Sequence, residues 1–172
     1  PLRRGTLASV GWGMAMITKH DPQARVLVTP SDQLILQEES YQSDMLEGLD
    51  FVGDKGCLMV MGGRASRPET GYGYIQKDDE TNEKAICKVK AVSEKPSHAF
   101  AEMFVKDGGF LWNTGLQVFR ADVLLDTVCR IVPEYQLGIP RLMADAESDD
   151  ARLVPEVFQM LPNLSLAVGI LE

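Results

Sequence analysis

Apolar side chains recur along the chain in two alternating patterns, one spaced for helices and one in short unbroken runs. Val10, Met14 and Ile17, with Ala8, Trp12 and Ala15 alongside, predict a helix over 6–19 that tolerates Gly11 and Gly13. Val26-Leu27-Val28-Thr29 is a β-branched run that predicts a strand covered on both faces. Tyr41, Met45, Leu49 and Val52 form one stripe over 39–52, behind Glu38 and Glu39 at the end where acids suit a helix dipole, with Gly53 as the expected stop. Leu58–Met61 reads as a second buried strand before Gly62-Gly63, and Ile86–Ser93 alternates as a strand with one wetter side.

Further along, Lys77–Lys84 reads as a hairpin tip or mobile loop. Ser97 is placed to cap a helix carrying Phe100, Met103 and Phe104 and closed by Asp107-Gly108-Gly109. Leu116–Phe119 predicts a strand, and 121–132 a helix with Val123, Leu124, Val128 and Ile131 inward. Asp145–Asp150 reads as a solvated loop, Pro155 as the opening of a short helix ending near Leu161, and Leu164–Leu171 as a final strand. Strands alternating with helices predict an α/β sheet with a mostly parallel core.

Length and composition narrow this. At 172 residues with 45% hydrophobic and 24% charged side chains, the chain is sized for one globular domain and is neither disordered nor collagen-like. It has no run of apolar residues long enough for a membrane span and no signal-peptide core after Pro1-Leu2-Arg3-Arg4. A net charge of −8 disfavours nonspecific binding to nucleic acid or anionic lipid. Cys57, Cys87 and Cys129 are too few and scattered for a disulfide framework or zinc site, and with only His20 and His98 a histidine metal site is not expected; the thiols point to a reducing cytoplasm.

Three segments interrupt the packing pattern next to strands, and a fourth does so more weakly. Thr29-Pro30-Ser31-Asp32 puts a carboxylate past a strand end, where ligands bind in open α/β sheets; Asp32 would hold a hard cation or cap the next turn. Arg67–Ile75 contains Gly71-Tyr72-Gly73, which either brings backbone N–H groups to a phosphate or sugar, or is a turn and strand entry with Tyr72 or Tyr74 packing inside. Glu94-Lys95-Pro96 presents a sugar-hydroxyl acceptor and a point charge for a phosphate, or a surface ion pair. Trp112-Asn113-Thr114-Gly115 offers an amide side chain beside a glycine, or an Asn turn joining helix to strand.

In this order the segments resemble the nucleoside-diphosphate-sugar pyrophosphorylases, most closely the mannose-1-phosphate guanylyltransferases. That family runs Pro-Ser-Asp-His, Pro-Glu-Thr-Gly-Tyr-Gly-Tyr-Ile, Glu-Lys-Pro and Trp-Asn-Ser/Thr-Gly; this chain has Pro30-Ser31-Asp32-Gln33, Pro68–Ile75 unchanged, Glu94-Lys95-Pro96 and Trp112–Gly115. Arg3-Arg4-Gly5-Thr6 is similar to its Arg-Asn-Thr segment and Ser165–Glu172 to its Ser-Ile-Asp-Tyr-x-x-Met-Glu strand, so the likeness spans the chain. The resemblance implies a Rossmann-like mixed sheet of the nucleotide-sugar pyrophosphorylase (GT-A-like) type, in one domain over 1–172. It implies magnesium-dependent transfer of GMP from GTP to mannose-1-phosphate, giving GDP-mannose and pyrophosphate in the cytoplasm. Its partners would be a sugar-1-phosphate and a nucleoside triphosphate, not nucleic acid or membrane. Residue by residue, Asp32 would ligate magnesium, and Gly71, Tyr72 and Gly73 would bring backbone to the sugar. Glu94 would accept sugar hydroxyls, Lys95 would face the sugar phosphate, and Asn113 with Gly115 would complete the hexose pocket.

Departures from the family pattern shape the expectations. No Gly-x-Gly-x-Arg-x-x-Pro loop with a following Pro-Lys pair occurs, which implies that the first strand and phosphate loop are absent and that these residues alone are inactive. Gly5 stands for Asn, Gln33 for His, and Ala167 falls where a second metal-binding Asp is expected. The alternatives are a non-catalytic remnant or regulatory or structural relative, or a uridylyl- or thymidylyltransferase of the same class. A sheet missing its first strands would expose a hydrophobic edge, from which a homo-oligomer is an open expectation.

Overall fold

A computed structural model describes residues 3–78, 85–145 and 153–171. Its elements run α1 (Gly5–Thr18), β1 (Arg25–Val28), α2 (Glu38–Lys55), β2 (Met59–Arg64), β3 (Tyr74–Lys77), β4 (Val89–Ser93), α3 (His98–Asp107), β5 (Phe110–Arg120), α4 (Ala121–Ile131), α5 (Pro133–Asp145), α6 (Leu153–Met160) and α7 (Leu166–Leu171). The α/β class and mixed composition stand, but the expected parallel core does not. β1 with β5, β3 with β4 and β3 with β5 all pair antiparallel. Among the described residues no helix is long and apolar enough to cross a membrane.

The chain divides into two compact units, the first from Pro1–Met59 with Gln117–Ile170 and the second built on Val60–Leu116. Strand β5 contributes to both. Its last residues pair with β1, Val28 opposite Gln117 through Arg25 opposite Arg120, and its first residues pair with β3.

In the first unit α1 presents Leu7, Ala8, Gly11, Met14 and Ala15 inward at three- and four-residue spacing. They pack with Leu124, Leu125 and Val128 of α4, Tyr135, Ile139 and Leu142 of α5, and Val157, Leu161 and Leu166. Gly11 is glycine because the Tyr135 ring lies 3.1 Å from where a Cβ would stand. Helix α2 buries Met45 and Val52 as its stripe predicts, but it does not stop at Gly53. It runs on to Lys55 and ends at Gly56, whose left-handed φ of 59° lets its N–H reach the Val52 carbonyl. In α4, Ile131 is exposed rather than inward, and Leu125 takes the core position.

The C-terminal segment departs most from expectation. Residues 166–171 are a helix, not a strand, because hydroxyls satisfy its first backbone donors: Thr6 Oγ1 accepts from Leu166 N–H at 2.8 Å and Ser165 Oγ from Val168 N–H at 3.1 Å. Helix α5 is not among the elements expected from the apolar spacing. Pro133 opens the helix, where its missing N–H costs nothing, and the buried Tyr135, Ile139 and Leu142 carry it past Pro140. Of the expected acidic loop, Asp145 ends α5 and 146–150 lie outside the described residues.

In the second unit β3 and β4 are neighbouring antiparallel strands. Of the expected hairpin tip, Lys77 belongs to β3 and Asp78 N–H reaches the Lys88 carbonyl at 3.0 Å, while 79–84 lie outside the described residues. Buried Tyr74 meets the Phe104 ring of α3 at 5.2 Å, and Phe104 stacks on Phe110 of β5 at 4.2 Å. Helix α3 starts after Ser97 as expected, yet the Ser97 side chain makes no capping bond; Gly108, at φ 78°, closes the other end. Trp112–Gly115 is not a turn before a strand but the interior of β5.

Candidate functional site

Antiparallel register decides which of the singled-out residues come together. Tyr74 of β3 stands opposite both Trp112 of β5 and Ser93 of β4. One step outward, Asn113 N–H donates to the Gly73 carbonyl at 2.8 Å, which sets Gly73 between Asn113 and Glu94. A Cβ at Gly73 would lie 2.6 Å from Glu94 Oε2 and 3.3 Å from Asn113 Cβ. The glycine is therefore the floor between a carboxylate and a carboxamide, and any side chain there would fill the space between them. Gly73 is buried, and Glu94 and Asn113 are half-buried.

Chain geometry around this row is unusual. Gly115 takes φ 77° inside β5, and its N–H donates to Asn113 Oδ1 at 3.0 Å. Thr114 Oγ1 donates to the Met61 carbonyl at 2.7 Å and accepts from Leu116 N–H at 3.3 Å, tying β5 to β2 across the irregularity. Asn113 Oδ1 is engaged by Gly115 within its own strand, and the amide N–H₂ is the donor end of the same group. Lys95, next to Glu94, is exposed and has φ 44°, the one positive φ outside glycine among the described residues. Such a conformation is costly for a lysine and disfavoured again before Pro96.

The loop entering the row is ordered from behind. Glu69 N–H donates to the hydroxyl of buried Tyr74 at 2.9 Å, and Glu69 Oε1 accepts from Gly71 N–H at 3.2 Å. The Gly71 bond, with a smaller contribution from Arg67, holds the Glu69 carboxyl below the ordinary carboxylate range. Exposed Tyr72 meets Trp112 edge-on at 5.5 Å, and the Arg67 guanidinium lies 5.2 Å over the same indole. Gly71 is exposed at the loop tip. Sequence reasoning singled out Gly71, Tyr72, Gly73, Glu94, Lys95, Asn113 and Gly115, all of which lie in this second unit. It gave no role to Glu69 or Arg67, whose signal was their place within the same nine-residue string; of Tyr74 it expected only packing inside, and Tyr74 is buried.

Asp32 belongs to the first unit, exposed in the segment after β1. It does not cap α2, whose N-terminal boundary residue is Gln37. Ala167 is half-buried within α7. Among the described residues no group of three His, Cys, Asp or Glu side chains is placed to hold a metal ion. The three cysteines are free and half-buried, and burial raises the thiol pKa of Cys57 and Cys129, so neither is primed as a nucleophile.

Comparison with known proteins follows the same lines. A nucleotidyl transferase family model matches residues 1–154. The chain is 29% identical to the alginate biosynthesis protein AlgA of Pseudomonas fluorescens, over 100% of this chain and 36% of that protein. It is 27% identical to a mannose-1-phosphate guanylyltransferase of Klebsiella pneumoniae, over 100% of this chain and 37% of that protein. A crystal structure described as mannose-1-phosphate geranyltransferase, from Thermus thermophilus, matches with a TM-score of 0.87 at 30% identity, over 100% of this chain and 48% of that one. The chain thus spans about a third of the length of the curated relatives it matches. It belongs to the nucleotidyl transferase family.

Proposed function

We propose, with membership of the nucleotidyl transferase family as the premise, that these residues carry the sugar-phosphate half of a mannose-1-phosphate guanylyltransferase. The observation behind this reading is the Asn113–Gly73–Glu94 row, in which a carboxylate and an amide flank a glycine floor. Glu94 accepts two hydroxyls of a hexose, the Asn113 amide donates to a ring substituent oxygen, and Gly71, Tyr72, Gly73 and Gly115 let the sugar lie close to backbone. Lys95, exposed beside the carboxylate, is the point charge that meets the sugar phosphate.

In the reaction proposed for the whole protein, a phosphate oxygen of mannose-1-phosphate attacks the α-phosphorus of GTP in line. The bond to the β-phosphate oxygen breaks, and pyrophosphate leaves with the electron pair. Such a transfer asks a protein mainly for positioning and charge neutralisation. These residues contribute the positioning of the nucleophile. Guanine as the base rests on the named relatives and on no residue described above.

Magnesium is the cofactor this class implies. Of the two positions that the resemblance assigns to the metal, Asp32 is an exposed carboxylate and Ala167 is unable to ligate. That fits an ion carried largely by phosphates and water, as Mg²⁺ commonly is, and not an ion held by the protein alone. When bound it would neutralise charge building on the transferred phosphate. No Gly-x-Gly-x-Arg-x-x-Pro loop occurs in these 172 residues, so as an isolated polypeptide they are expected to bind mannose-1-phosphate without releasing pyrophosphate from GTP. A coupled pyrophosphate assay on the purified polypeptide tests this, and magnesium-dependent release would overturn it.

A further inference from the structure

Glu69 is no part of the row, yet two interactions of different kinds converge on it. Its backbone N–H is held by Tyr74 Oη, and Tyr74 is fully buried against Phe104. Its carboxylate is turned forward onto the Gly71 N–H, two residues on, with Arg67 Nη2 at 3.3 Å on the other oxygen. An exposed Arg–Glu pair by itself contributes little, but a carboxylate accepting a backbone N–H is a charge-assisted bond that fixes chain direction. The bond spans the tip from which Tyr72 reaches Trp112.

We infer that Glu69 is a positioning residue: fixed from behind by Tyr74, it holds the Gly71 amide and so sets the shape of the 69–73 loop beside the Asn113–Gly73–Glu94 row. The functional consequence rests on the sugar-phosphate reading of that row; the loop geometry does not. A loop already fixed in shape has less freedom to lose when a ligand arrives, so affinity depends on Glu69 although it touches no ligand. Arg67 is the charged group that faces the carboxylate, the N–H groups of Gly71 and Thr70 are the other partners on its own loop, and the Tyr74 hydroxyl meets its backbone and not its acid group.

The test has two arms. In the first, the Gly71 amide resonance of the ¹⁵N-labelled chain is followed through the acid range. It should shift with a midpoint below that of an ordinary glutamate, about 4.3, and Glu69→Gln should abolish the shift. A Gly71 amide that does not titrate, or that titrates alike in Glu69→Gln, overturns the inference, and this arm needs no ligand. In the second, mannose-1-phosphate affinity is measured by calorimetry at neutral pH. Glu69→Ala should weaken it by roughly tenfold, the scale of losing one bond to a charged group, while Glu69→Gln, whose amide oxygen still accepts from Gly71, should stay within about threefold. Equal affinity in Glu69→Ala, or a Gln variant as weak as the Ala variant, also overturns it. Wild-type chain that binds no mannose-1-phosphate while Gly71 titrates normally would contradict the function proposed for the row and support the role of Glu69 in the loop. Should Glu69→Ala fail to fold, the Gly71 titration of wild type against Glu69→Gln decides alone.

Discussion

Polar side chains are put to different use in the two units. In the first they close backbone ends. Arg4 donates to the Phe158 and Gln159 carbonyls at 2.9 and 3.0 Å, at the end of α6, and Thr6 takes the first N–H of α7. Arg120 forms a two-pronged pair with Asp122, which also accepts from Val123 N–H at the start of α4. In the second unit Glu94 and Asn113 flank a glycine, and the neighbouring Lys95 holds a strained backbone conformation. Its buried apolar residues are few, namely Tyr74, Ile75, Ala101 and Leu116 among those described. On the function proposed above, the first unit is organised for stability and the second presents groups to a sugar phosphate, and matched substitutions should separate the two.

Glycine to alanine makes the sharpest contrast. Gly5 has φ 72°, and a Cβ there would collide with the Leu164 carbonyl, a backbone atom that cannot step aside. Gly5→Ala should therefore cost more than about 2 kcal/mol, from strain and overpacking combined, read as a lowered urea midpoint. The same change at Gly73 meets the far end of the Glu94 side chain. Gly73→Ala should lower stability by less than about 1 kcal/mol and reduce mannose-1-phosphate affinity at least tenfold. If Gly73→Ala unfolds the chain as readily as Gly5→Ala, the division between the units is wrong.

A smaller effect is expected at Tyr74. Tyr74→Phe removes one hydroxyl, the partner of Glu69 N–H, and should cost about 1 kcal/mol while leaving the ring in contact with Phe104. Thermal unfolding beside calorimetry would show whether affinity falls with it. The smallest effect lies in the first unit and depends on pH. Hydrogen bonds from Arg120 foremost, then from Val123 N–H, hold the Asp122 carboxyl below its ordinary value. The stability it contributes is therefore present above about pH 4 and lost as pH falls through the lowered folded value. Asp122→Asn should flatten that part of the melting-temperature profile below pH 4 and leave mannose-1-phosphate binding unchanged.

Much of the fold could be read from local pattern, and what escaped was set by distant partners. Helices α1, α2, α3 and α4 form where the apolar spacing predicts them, although Phe100 and Met103 of α3 and Ile131 of α4 are exposed, and Ala101 and Leu125 are buried instead. The last helix is not predicted by spacing, because Leu164–Leu171 is a short apolar run that periodicity alone cannot assign. Its donors are satisfied in part by Thr6, from the opposite end of the chain. The parallel core was inferred from alternation of elements, and antiparallel β3–β4 neighbours within the second unit defeat that rule. At the site, Gly73, Glu94 and Asn113 were visible as members of separate strings. That they form one row follows only from strand register, and so does the reason that residue 73 is a glycine. Glu69 was invisible because its importance lies in a bond to the backbone two residues on, a contact that many glutamates in loops could make.

The central claim, that the second unit carries a sugar-phosphate site, is tested most directly by titrating mannose-1-phosphate into the purified chain and its Glu94→Ala variant in a calorimeter. The account predicts a saturable heat for the wild type that is lost, or weakened at least tenfold, in Glu94→Ala, with the melting temperatures of the two within about 2 °C, as expected for a half-buried polar site outside the core. The same binding heat from both proteins would contradict it.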